Sequence, residues 1–106
     1  MKALMIAALL CCVATAAQAE TALALRERCT GMTGIANAGM CKSSVGGIVD
    51  DFKADPAYCV PKDAERAQTL AIVQKYLTDH PEDMHLTSTE VIGKAMAAAY
   101  PCPAKP

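Results

Sequence analysis

Apolar and polar positions along this chain change character once. An apolar run from Ala3 to Val13 gives way, after a stretch of small residues, to apolar positions repeated at helical spacing as far as Tyr100. The run follows one basic residue, Lys2, and leads into Ala17, Gln18 and Ala19. Basic start, short apolar core and small-x-small ending make the secretory signal pattern, so cleavage is predicted between Ala19 and Glu20. The run is too short for a membrane span, which takes about 20 apolar residues. Cys11 follows Leu10 and Cys12 follows Cys11, so neither has the small preceding residue that a lipoprotein cleavage needs. The chain therefore divides into a signal peptide over 1–19 and a single domain over 20–106.

Within that domain the periodicity is helical, with almost no strand alternation. A first helix is predicted from near Thr21 to about Cys29, followed by a small-residue connector from Gly31 to Gly39. A second covers Cys41 to Phe52, with Val45, Ile48, Val49 and Phe52 on one face. Gly46 and Gly47 lie inside it at about 1 kcal/mol each relative to Ala, which predicts either a backbone packed close by or a kink. A third helix begins at Asp63 as N-cap with Glu65 in its first turn, presents Ala67, Leu70, Val73 and Leu77, and stops before Pro81. The fourth has the clearest start: Thr87 and Glu90 form a capping box, flanked by the apolar pair Leu86 and Val91. Val91, Ile92, Ala95, Met96, Ala98 and Ala99 make its apolar face, and Pro101 ends it. The expected fold is all-α, a small bundle of about four helices.

Composition adds a constraint. Trp is absent and Phe52 is the only Phe, so the core is aliphatic and Ala-rich. A domain of this size hides only about 60 to 65 per cent of its unfolded surface, and covalent staples are the usual remedy. Cys29, Cys41, Cys59 and Cys102 supply two disulfides in an exported chain, and four cysteines allow three pairings. Helix placement selects among them. The short link from His80 to Leu86 favours an antiparallel third and fourth helix, whose far ends are flanked by Cys59 and Cys102. Cys29 and Cys41 then form the other pair. On the loop-entropy model the two bridges contribute roughly 4 and 3 kcal/mol.

Charge excludes more than it suggests. The formal net charge is -1 and no basic patch survives signal cleavage, which argues against nucleic acid as a partner. Asp50, Asp51 and Asp55 form a modest acidic group broken by Lys53. Histidine occurs only at His80 and His85, and the cysteines lack a repeated short spacing, so neither a zinc set nor a cysteine nucleophile is expected. Met32, Met40, Met84 and Met96 could ligate soft copper, but unclustered methionines read as core filler. No cofactor, metal or catalytic residue is assigned.

Several residues together carry a resemblance: Cys59-Val60-Pro61, Gln68, Tyr76-Leu77, His80-Pro81, Ala95, and Tyr100-Pro101-Cys102, with Cys29, Cys41 and Gly47 upstream. The pattern resembles the Rap/Tai family of bacterial immunity proteins. The chain departs from the usual second helix, having Ser44 and Val45 where an aromatic commonly precedes the glycine. The resemblance implies a disulfide-bonded helical periplasmic protein, often a homodimer, that binds and blocks a peptidoglycan amidase delivered by type VI secretion. The motif positions are scaffold, so candidate contacts come from the chain itself: the loop from His80 to His85, with Glu82 and Asp83 exposed at its tip, and the region from Asp50 to Tyr58. Two other readings fit the composition: a periplasmic binding or adaptor module, and a small acid-stress chaperone without catalytic activity.

Overall fold

A computed structural model describes residues 19–30 and 35–104; residues 1–18 of the expected signal segment, with Ala17, lie outside the described residues, as does Met32. Four α-helices follow in order: α1 (Ala22–Thr30), α2 (Ile35–Ala54), α3 (Arg66–Asp79) and α4 (Ser88–Ala99), with a 3-10 turn over Pro81–Asp83 between the last two. The described residues contain no strand, and a single antiparallel bridge joins Thr21 to Thr87. The fold is an all-α bundle.

α4 starts where its capping box places it. Thr87 Oγ1 accepts from the Glu90 backbone N–H at 3.1 Å, and the Thr87 N–H donates to Glu90 Oε1 at 3.1 Å. Two orphan donors of the first turn are thereby satisfied. The helix buries Val91, Ile92, Ala95 and Met96 against Leu25, Val45, Val49, Val73 and Leu77 in one aliphatic core. Ala98 and Ala99, expected on that face, are exposed, because an open groove lies between them and Ile72 of α3.

α3 departs from its predicted start. Residues 61–64 are held in a turn by the Ala64 N–H donating to the Pro61 carbonyl at 3.1 Å, and Lys53 Nζ donates to the Ala64 carbonyl at 2.8 Å. The helix therefore begins at Arg66 with extended Glu65 as its N-cap, and Asp63 caps nothing. Its buried stripe is Thr69, Val73 and Leu77, not one starting at Ala67, which is exposed. Thr69 tolerates burial because its hydroxyl donates to the Arg66 carbonyl at 3.2 Å.

α2 is longer than its apolar stripe implies and runs unbroken through Gly46 and Gly47. Burial of Cys41, Val45 and Val49 outweighs the cost of two glycines. No backbone presses on Gly46. A Cβ there would meet the Arg66 guanidinium at 2.6 Å, and one on Gly47 would meet nothing within 4 Å. Gly93 is crowded too, by aromatic side chains: Phe52 and Tyr58 pack there with ring centroids 4.4 Å apart, and a Cβ would lie 2.9 Å from Phe52 Cζ.

Disulfides join Cys29 to Cys41 and Cys59 to Cys102, each with Cα atoms 5.2 Å apart. The first ties the end of α1 to α2, and the Gln74 side chain of α3 donates to the Cys29 carbonyl beside it at 3.0 Å. The N-terminal segment is sewn to the start of α4: the Ala22 N–H donates to the Leu86 carbonyl and the Ser88 N–H to that of Glu20. Glu20 also pairs with Arg28 and accepts from the Ser88 hydroxyl at 3.1 Å.

Candidate partner-binding turn

The turn after α3 is built by the residues on either side of it. Proline at position 81 disfavours helical geometry at His80, so α3 stops, and His80 takes φ −125 and ψ 65. The chain then tightens into the 3-10 turn, with the Asp83 N–H donating to the His80 carbonyl and the Met84 N–H to that of Pro81. Tyr76, one helical turn before His80, stacks its ring on the imidazole with centroids 3.9 Å apart and planes at 22°. Its hydroxyl donates to Asp83 Oδ2 at 2.7 Å. From α4, Lys94 Nζ reaches both Asp83 oxygens at 3.3 and 3.4 Å. Asp83 is therefore an anchor linking α3, the turn and α4.

That corrects one expectation. Asp83 was placed at the exposed tip with Glu82, but only 7% of it is accessible, because adjacent residues of a 3-10 turn point to different sides. Pro81, Glu82 and His85 do face outward. Glu82 Oε2 lies 2.8 Å from His80 Nδ1. The outward surface is thus one carboxylate and two imidazoles around a fixed proline ring.

Electrostatics follow the bonds. The Asp83 carboxyl is held below its ordinary value chiefly by the Tyr76 hydroxyl, with Lys94 adding to it and desolvation opposing. Glu82 is lowered through its bond with His80. Tyr76 is pushed up to about 12 by burial and then by its bond to Asp83. At neutral pH the turn therefore carries two ionised carboxylates, one neutralised inwardly by Lys94 and one facing out.

His80, Glu82 and Asp83 offer ligand atoms within 4.8 Å of one another. A cation there would compete with Lys94 and Tyr76, which already engage the Asp83 oxygens in an ion-pair network. Of the methionines considered for copper, Met96 is fully buried in the core and Met40 is exposed. An open groove of about 270 Å³ runs beside the turn, lined by Ile72, Tyr76, His80, Ala95, Ala98 and Ala99.

The second candidate region makes local contacts of its own, while Asp51, Pro56 and Ala57 stay exposed. Asp50 pairs with Arg66 at 2.6 Å, Asp55 Oδ1 accepts from the Ala57 N–H at 2.9 Å, and Tyr58 packs on Phe52. Sequence reasoning missed Tyr76 and Lys94 as partners of Asp83. The available signals were Tyr76 four residues before His80 and Lys94 as the only basic residue of α4.

A family model described as Rap1a immunity proteins matches residues 9–102. No curated protein and no solved structure matches the chain.

Proposed function

This chain belongs to the Rap1a immunity protein family, and from that premise we propose that it binds and blocks a peptidoglycan amidase delivered by a type VI secretion system. In this reading the signal peptide over 1–19 directs export, cleavage between Ala19 and Glu20 leaves residues 20–106 as one domain, and the protein acts in the periplasm without catalysis.

One observation supports the turn after α3 as the contact: it is pre-formed. Asp83, fixed by Tyr76 and Lys94, holds the backbone of 80–84 in place, while Pro81, Glu82 and His85 are left unburied. A segment ordered before binding spares the entropy of immobilising it in a cleft, about 0.5 to 1.5 kcal/mol for each side chain already held. Proline at the tip has no rotamer freedom to lose, and Glu82 brings a charge toward cleft N–H groups or cations. The chemistry asked of the protein is steric occlusion with one charge-assisted contact, for which no cofactor is needed.

The test is to mix the oxidised protein 20–106 with the type VI amidase encoded in the same genome and measure peptidoglycan hydrolysis. Stoichiometric inhibition, abolished by Glu82→Arg in a protein that melts normally, supports the reading. Full inhibition by that variant would remove the turn as the contact. Amidase activity unaffected by the unaltered protein would remove the amidase. Light scattering of the complex reads whether one chain or a homodimer binds.

A further inference from the structure

The two disulfides occupy opposite surroundings. Cys29 and Cys41 are each 1% exposed and sit inside the core with Leu25 and Val45. Cys102 is exposed and Cys59 half-buried, and both line an open groove of about 310 Å³ with Ala57, Tyr58, Ala97 and Tyr100. Thiol–disulfide exchange proceeds by attack of a thiolate on one sulfur, so access to that sulfur is a condition of the reaction. Only the second bridge meets it.

The segment carrying Cys102 is also lightly held. Residues 101–104 lie beyond the end of α4 and take no part in the backbone hydrogen bonds among the described residues. Pro101 and Pro103 flank the cysteine and have no N–H to donate. The disulfide is thus the main tie of this segment to the body, and opening it leaves the Cys29–Cys41 bridge of the core in place.

We infer that Cys59–Cys102 is a thiol–disulfide exchange site that accepts electrons from a dithiol reductant through the groove, while Cys29–Cys41 is a closed structural bridge. One thiolate of the reductant attacks Cys102 Sγ, forming a mixed disulfide and releasing Cys59 as the thiolate, which takes up a proton. The second thiol of the reductant, as thiolate, attacks its own sulfur in the mixed disulfide. Cys102 leaves as thiolate and is protonated, and the reductant closes into a disulfide, having given two electrons.

The experiment treats the folded, oxidised protein with dithiothreitol, quenches with N-ethylmaleimide at intervals and maps the labelled cysteines by mass spectrometry while circular dichroism follows helix content. The expected result is labelling of Cys59 and Cys102 at least about tenfold faster than Cys29 and Cys41, with helix content retained through the first phase. Repeating it with reduced glutathione is expected to trap the mixed disulfide on Cys102. Labelling of all four cysteines within the same tenfold window, labelling of Cys29 and Cys41 first, or the adduct on Cys59 would overturn the assignment.

Discussion

Tyr76 donates its phenol hydrogen to Asp83 across 2.7 Å, from the last turn of α3 into the 3-10 turn beyond it. The contact converts a carboxylate that reads as surface charge into the anchor of a loop, because Lys94 approaches the same group from α4. Its energetic signature is dependence on pH. Asp83 is lowered in the folded state, so its contribution is complete above the unfolded carboxylate range, near about pH 4, and is lost as pH falls through the depressed value. Tyr76 is raised to about 12, so its contribution is complete below about pH 10 and lost as pH rises through the folded value.

Tyr76→Phe keeps the ring on His80 and removes only the donor. The variant is expected to melt below the unaltered protein at pH 7, with the gap narrowing as pH falls from about 4 through the depressed Asp83 value, below which the carboxyl is protonated in both. Thermal melts from pH 2 to 8 read this; a gap independent of pH would mean that the hydroxyl does not act through Asp83.

Glu82 and Asp83 are expected to separate binding from stability although they are neighbours. Glu82→Ala is expected to leave the melting temperature unchanged and, if the turn is the contact proposed above, to weaken the partner complex by about tenfold or more, as loss of a charge at a contact does. Asp83→Ala lowers the melting temperature, because Lys94 and the Tyr76 hydroxyl lose their shared acceptor. Melting curves beside titration calorimetry distinguish the two.

Two glycines respond in opposite directions to the same substitution. Gly47→Ala meets open space inside α2 and is expected to stabilise by about 0.5 to 1 kcal/mol. Gly93→Ala drives a methyl to within 2.9 Å of Phe52 Cζ and 3.0 Å of Tyr58 Oη, and is expected to destabilise by about 1 to 3 kcal/mol. Urea denaturation of both variants gives the comparison, and stabilisation by Gly93→Ala would show that the aromatic pair yields.

Thr87→Ala removes the hydroxyl that accepts the Glu90 N–H and is expected to cost about 1 kcal/mol. Hydrogen exchange places the loss: faster exchange at Ser88 to Glu90 marks a frayed first turn, and unchanged exchange there would mean that the Thr21–Thr87 bridge carries the helix start.

Legibility in the sequence followed the range of the interactions. The α4 start was readable because a capping box is made by residues three apart, and the local geometry is closed by those residues alone. The start of α3 was not. Asp63 has the chemistry of a cap, but the Lys53 contact with the Ala64 carbonyl, eleven residues away in sequence, holds that stretch as a turn. The outward face of the candidate turn was readable at Glu82 and misread at Asp83, since the residues that draw Asp83 inward come from two helices.

By itself the sequence determined the helical class, the aliphatic core stripe of α4 and the family, because periodicity, caps and residue types act over a few positions at a time. Only the tertiary structure decided that α2 runs through two glycines, that Phe52 and Tyr58 close on Gly93, that one disulfide is sealed and the other open, and that Asp83 supports the turn which Glu82 presents. Each of these depends on which helix faces which, and that is set by packing among segments distant in sequence.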